Sequence, residues 1–289
     1  MSQKIAVAVI HGAGSQNPDY ADALIARVKR SFQAWLPPED KTVADKLVFK
    51  VIYWANILAK KQRILWNSVT DDDETLRFTD FRKFIIDFGA DAVAYQPGAK
   101  RREIYNRVHK TVAAALTELA REAGTDAPLC IVGHSIGTVI THNYFFDLGD
   151  DMIADRIFGS SITPLEAGHT LAFLYWLGSP LALWSLRYEH YKAITFPGRD
   201  LTARYPGLKP KWVSYYDRDD ILAYPIRSLS KGHKQLAEQG LLKDVLIEAG
   251  GLLTSWNPLS HLDYLKNEDV TRDIAHDLFE AWQAVNPAD

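Results

Sequence analysis

Leu129-Cys130-Ile131-Val132-Gly133-His134-Ser135-Ile136-Gly137-Thr138-Val139-Ile140 decides how this chain is read. An apolar, β-branched run enters a Gly-x-Ser-x-Gly pentapeptide, and an apolar segment with helical spacing leaves it, so the stretch reads as strand, tight turn and helix. Gly133 and Gly137 lack a Cβ, which lets the chain turn sharply and the helix approach the strand, while the central residue is held in a strained backbone conformation. Ser135 is thereby pushed out at the tip. It stands at a helix N-terminus, where unpaired N–H groups and the helix dipole favour developing negative charge. This is a place for a nucleophile, and it requires the rest of the chain to supply a base, an acid and donors for an oxyanion.

The bounds are consistent with such a site. A chain of 289 residues that is 47% hydrophobic can bury one large core, which is read as a single domain over 1–289 with a helical insertion or cap at 56–97. Net charge is −3 with mixed signs, so there is no basic face for phosphates and nucleic acid is excluded as a partner. Lys60-Lys61 and Lys100-Arg101-Arg102 read as solvated helix faces. The single cysteine, Cys130, lies in the strand before the turn, which excludes an intramolecular disulfide and reads as a small buried core residue. The apolar run Ile5 to Ile10 is too short for a signal-peptide core. No run reaches the length of a membrane span, the longest apolar stretch being near Leu171 to Leu177. A soluble, cytoplasmic protein is expected, with no repeats and no low-complexity segment.

Ile5 to Ile10 has the pattern of a strand covered on both faces, and it ends in His11-Gly12-Ala13-Gly14. Glycines after such a strand let backbone N–H groups face a ligand, which nominates the N–H groups of Ala13 and Ile136 as an oxyanion pair. Asn17 or Asp19 is expected to cap a helix running to about Trp35, with Leu24, Val28, Phe32 and Trp35 or Leu36 on one face and Pro37-Pro38 as its stop. Leu47 to Trp54 reads as a second strand. In the insertion, Ile57, Leu58, Ile64 and Leu65 mark one amphipathic helix and Phe78, Phe81, Phe84, Ile85 and Phe88 a second; the aromatic stripe reads as core packing, with a cap over the site as the alternative. Asp71-Asp72-Asp73-Glu74 between them reads as a solvated turn.

A long helix from about Ala99 to Ala123 follows, its buried stripe running through Ile104, Val108, Val112, Leu116 and Leu119, with His109 off the stripe and exposed. Asp150 to Ala167 is loop-like, Leu171 to Leu177 and Lys211 to Tyr216 are strands, and Asp244 to Ile247 is a short last strand. Asp217, Asp219 and Asp220 cluster just past a strand end, on the carboxyl edge that also carries Ser135. The loop Asn257-Pro258-Leu259-Ser260-His261-Leu262-Asp263-Tyr264 places one histidine after the last strand, before a closing helix over Asp269 to Val285.

A serine nucleophile needs a base for the hydroxyl proton, a carboxylate to fix the imidazole and donors for the oxyanion, and Ser135, Asp220 and His261 occur in that chain order. Here the sequence resembles the α/β-hydrolase superfamily, its nucleophile elbow matched by Gly133-His134-Ser135-Ile136-Gly137 and its oxyanion loop by His11-Gly12-Ala13-Gly14. The lipase and esterase branch, where Gly-His-Ser-x-Gly is frequent, is the most similar. The resemblance implies a three-layer α/β/α sandwich, an α/β fold reduced to about six mostly parallel strands because the oxyanion loop already follows the first strand. It selects Asp220 over Asp217 and Asp219 as the acid, and His261 as the base.

It further implies a serine hydrolase cleaving carboxylic esters of small-molecule or lipid-like substrates through an acyl-enzyme on Ser135. A thioesterase, amidase or acyltransferase on the same triad is the alternative, and a non-catalytic ligand-binding protein is the rival from another class. His11, Gly12, Gly133 and Gly137 are supporting residues. His134 is expected to point away from Ser135. His142, His169, His190, His233 and His276 show no metal-ligand spacing, so neither a metal nor a cofactor is expected. Oligomeric state is left open.

Overall fold

Runs that are apolar at every position form the middle of a sheet, because a parallel strand is covered on both faces. In the computed structural model, β1 (Ile5–Ile10), β2 (Leu47–Ile52), β3 (Leu129–His134), β4 (Leu171–Leu177), β5 (Lys211–Tyr216) and β6 (Leu242–Leu246) form one six-stranded sheet. Its order is β2-β1-β3-β4-β5-β6, and every neighbouring pair is parallel. The structure describes residues 2–14, 16–38, 42–70, 76–96, 102–149, 162–249, 261 and 263–287. β1, β3 and β4 are buried throughout, whereas β6, at the edge, is mostly not.

The helices are α1 (Asp22–Trp35), α2 (Ala59–Thr70), α3 (Thr79–Ala94), α4 (Glu103–Ala123), α5 (Ile136–Asp147), α6 (Leu181–Ser185), α7 (Leu201–Arg204), α8 (Lys231–Glu238) and α9 (Glu268–Val285). Alternation along β1 divides the core: Ala6, Ala8 and Ile10 face a cluster shared with α4 and α5, while Ile5, Val7 and Val9 face one shared with α1 and α9. The fold is therefore the expected three-layer α/β arrangement, compatible with an α/β-hydrolase-like fold. Among the described residues, no helix is long and apolar enough to cross a membrane. The chain runs from β1 outward to β2 and then returns past β1 to β3. That reversal opens a crevice at the carboxyl ends of β1 and β3, the switch point where open α/β sheets place their ligands.

Some local expectations are corrected. α1 begins at Asp22, and neither Asn17 nor Asp19 caps it with a side chain; their carbonyls instead accept the Tyr20 and Asp22 N–H groups in preceding turns. His109 is buried, not exposed. It lies one helical turn beyond the buried Tyr105, which widens the α4 stripe, and its Nε2 pairs with the Tyr95 hydroxyl at 2.8 Å. Burial lowers the His109 pKa to about 3, so the ring is neutral.

Residues 56–97 depart furthest from expectation. Ile64 and Leu65 on α2 are exposed, and Phe78 and Ile85 are 79% and 44% exposed, so these stripe residues are not core; Phe88 does pack against it. The side chains of Phe81 and Phe84 lie outside the described residues, as do Asp71 to Glu74, Ala99 to Arg101, Asp150 to Ser161 and Asn257 to Ser260. Among the described side chains of α2 and α3, the buried ones are polar: Gln62, Asp87 and Asp91.

Candidate active site

Ser135 occupies the turn between β3 and α5 with φ 52° and ψ −128°, a left-handed conformation that costs free energy for any residue with a Cβ. The turn is held by Ser135 N–H donating to Leu177 O at 2.9 Å, and by Thr138 donating to Ser135 O through both its N–H and its hydroxyl. A Cβ on Gly137 would stand 2.6 Å from His11 O, so only glycine lets α5 start this close to the end of β1.

Ser135 Oγ lies 2.6 Å from His261 Nε2, and His261 Nδ1 lies 2.7 Å from Asp220 Oδ2. With Nδ1–H donated to the carboxylate, the Nε2 lone pair faces the serine hydroxyl. All three residues are buried. Burial works against the Asp220 charge, but hydrogen bonds from His261, the Leu222 N–H and Tyr264 outweigh it and hold the carboxyl below its ordinary value.

The structure separates the three clustered aspartates by what they touch. Asp220 reaches His261. Asp217 turns the other way, its oxygens accepting the N–H groups of Asp219 at 2.8 Å and Ala249 at 2.6 Å, while Asp219 is exposed.

Tyr264, unmarked in the sequence reading, joins the group. Its hydroxyl donates to Asp220 Oδ2 at 2.9 Å and accepts the Asp217 N–H at 2.8 Å. No local pattern marks it, because its partners Asp217 and Asp220 lie more than forty residues earlier in the chain. His134 donates from Nε2 to the His261 carbonyl at 2.7 Å, so it fixes backbone and does not meet the serine hydroxyl. Burial, with His261 beside it, lowers its pKa to about 3.

The loop after β1 runs alongside. A Cβ on Gly12 would stand 2.6 Å from Ser135 Cβ, so glycine alone permits this approach. His11 Nδ1–H donates to Gly12 O at 2.7 Å, and its Nε2 accepts the N–H groups of Trp54 and Ala55 at 3.0 and 3.2 Å. The ring stacks on Trp54, and burial lowers its pKa to about 4, so it acts as a neutral bracket. Because a trans peptide points its C=O and N–H in opposite directions, fixing Gly12 O also fixes the Ala13 N–H. Among the described residues, the N–H groups of Ala13 and Ile136 meet no acceptor. Gly133 sits at the end of β3, in register with Ile10 of β1.

Elsewhere, ligand atoms of His276, Asp277 and Glu280 lie within 4.8 Å of one another, a grouping the histidine spacing had not indicated. Asp277 is already bonded there by Lys211 and by the Tyr175 hydroxyl. Cys130 is free and buried.

No family model, no curated protein and no solved structure matches this chain.

Proposed function

We propose that the protein is a serine hydrolase of the α/β-hydrolase, esterase-like kind that cleaves carboxylic esters. The observation that carries this reading is the unbroken chain Ser135 Oγ, His261, Asp220, with links of 2.6 and 2.7 Å, on a strained turn. A hydroxyl so placed loses its proton to His261 Nε2 as it attacks the ester carbonyl, and Asp220 steadies the imidazolium that forms. The negative oxygen of the tetrahedral intermediate is received by the N–H groups of Ala13 and Ile136. His261 then returns the proton to the departing alcohol, leaving an acyl group on Ser135, and water repeats the sequence to release the acid. No step calls for a metal or cofactor.

An apolar acyl group is the proposed substrate part. A groove of about 810 Å³ between α2 and α3, lined by Leu58, Leu65, Ile85, Val93 and Ile104 among others, is apolar enough for such a group, and its lining includes none of Ser135, Asp220 and His261. Gln62, which also lines the groove, is hydrogen-bonded to Asp91, and Asp91 to the loop after β1.

The test is labelling by a fluorophosphonate, with the modified peptide located by mass spectrometry, in wild type, Ser135→Ala and His261→Ala. The reading expects label on Ser135, none in Ser135→Ala and a sharp fall in His261→Ala. Folded wild type that takes no label and turns over no ester overturns it.

A further inference from the structure

We infer that Asp91, on the inserted helix α3, is a positioning residue that sets the oxyanion donor of the loop after β1, making insertion and active site one mechanical unit. The inference rests on the hydrolase reading and deepens it.

Four side chains bond the backbone of the loop His11 to Gly14: Trp54 Nε1 donates to His11 O at 3.1 Å, Gln16 Nε2 donates to Ala13 O at 3.3 Å, and His11 and Asp91 hold the peptides on either side of the Ala13 Cα. His11 fixes the Gly12 carbonyl, at one end of the peptide that bears the Ala13 N–H. At the other end, Asp91 Oδ2 accepts the Gly14 N–H at 2.8 Å. Gly14 has φ +90°, a conformation open to glycine, and a Cβ there would meet Asp87 at 3.3 Å, so α3 lies directly against the loop. The Ala13 N–H therefore lies in the peptide plane held by His11, and the next plane, across the Ala13 Cα, is held by Asp91 of α3. A donor that is free of solvent and already aimed is what oxyanion stabilisation requires, since misalignment is not repaired cheaply during the reaction.

The tie is built, not incidental. Asp91 is 1% exposed, and its second oxygen accepts Gln62 Nε2 of α2 at 2.7 Å, so both helices of the hairpin converge on one carboxylate. The charged group acting on it is Asp87, one turn earlier on its own helix and paired with Lys83 at 2.6 Å. The other elements bonded to it contribute the uncharged Gln62 amide and the Gly14 N–H. Burial foremost, with Asp87 adding, raises the Asp91 pKa to about 7, against the pull of the Gly14 hydrogen bond. A carboxylate kept in such an expensive place is functionally informative.

Two variants separate positioning from folding. Asp91→Leu keeps the branching, with larger methyl groups in place of the two oxygens, and removes the acceptor. Asp91→Asn keeps an accepting oxygen for Gly14, and its amide can donate to Gln62 Oε1, which has no partner among the described residues, once the Gln62 amide turns over. Kinetics on p-nitrophenyl butyrate, with the thermal midpoint at pH 8, give the readout. The expected result is a kcat about 100-fold lower in Asp91→Leu with KM within about threefold, an unreduced midpoint, and recovery of most of kcat in Asp91→Asn. A kcat in Asp91→Leu within about threefold of wild type overturns the inference while the hydrolase reading stands. So does a kcat loss that tracks a fallen midpoint and is not recovered by Asn. Wild type that neither turns over ester nor takes fluorophosphonate at Ser135 overturns the hydrolase reading, and this inference falls with it.

Discussion

The Tyr264 hydroxyl donates to Asp220 Oδ2 at 2.9 Å, on the same oxygen that receives His261 Nδ1. The same hydroxyl accepts the Asp217 N–H, so it locks the turn after β5 to the carboxylate that turn presents. Tyr264→Phe keeps the ring and removes both bonds. Because it strands a buried N–H and takes a donor from a buried carboxylate, a loss of about 1–3 kcal/mol in urea denaturation is expected. Turnover should fall as well, by roughly tenfold, since the carboxylate keeps its bonds from His261 and Leu222. A variant as stable and active as wild type would show that the hydroxyl is idle.

The neighbouring aspartates differ enough for substitution to rank them. In Asp220→Asn an amide oxygen or an amide NH2 must face His261 Nδ1; where the NH2 faces it, the imidazole is pushed to the wrong tautomer, and kcat should fall by about 10⁴-fold. Asp219→Asn should leave kcat within about threefold, because that side chain is exposed. Asp217→Asn weakens the acceptor of two backbone N–H groups and should lower stability more than it lowers kcat. Steady-state kinetics and thermal melts on the three variants check the order, and a larger kcat loss in Asp217→Asn than in Asp220→Asn would exchange their roles.

The centre of this fold was open to reading because it obeys local rules. Ile5 to Ile10 and Leu129 to Val132 are apolar at every position, as only strands covered on both faces are, and the two glycines around Ser135 are required by close approaches that sequence spacing already encodes. Asp91 and Tyr264 were not legible, since each gains its meaning from a partner far away in sequence, Gly14 for one and Asp217 and Asp220 for the other. Around α3 the pattern misled at Phe78 and Ile85, though not at Phe88. Apolar spacing defines a stripe along a helix without saying which side meets the protein, and here Phe78 and Ile85 face solvent while Asp87 and Asp91 face inward. His109 failed for a related reason, because a tyrosine one turn earlier extended the buried face beyond its aliphatic residues.

Gly12 offers a sharper probe of the loop than any polar residue. In Gly12→Ala the new methyl would lie 2.6 Å from Ser135 Cβ and 3.0 Å from His134 Nδ1, so loop or nucleophile must shift. On the proposed hydrolase reading, displacing the Ala13 N–H or Ser135 should lower kcat by about 100-fold or more. Labelling rate by fluorophosphonate should fall in parallel, with circular dichroism unchanged. Full activity in Gly12→Ala would mean that the loop yields without consequence.

The buried carboxyls Asp91 and Asp220 should imprint opposite signs on stability. The Asp91 pKa is raised from 3.8 to about 7 on folding, so between these values the folded chain keeps a proton that the unfolded chain releases. Raising pH through that window therefore favours the unfolded state, and above about 7 the cost is complete. The shift corresponds to at most about 4 kcal/mol. Asp220 is depressed on folding, so its contribution is present above the ordinary carboxyl range and disappears only as pH falls through its folded value. Urea midpoints of wild type and Asp91→Asn from pH 4 to 9 isolate the first effect, because Asn cannot ionise. Wild type should lose stability relative to Asp91→Asn between about pH 4 and 7 and run parallel to it above. A difference that is flat across that window would mean that Asp91 ionises as an exposed carboxyl does, and its tie to Gly14 could not be the closed, buried contact described above.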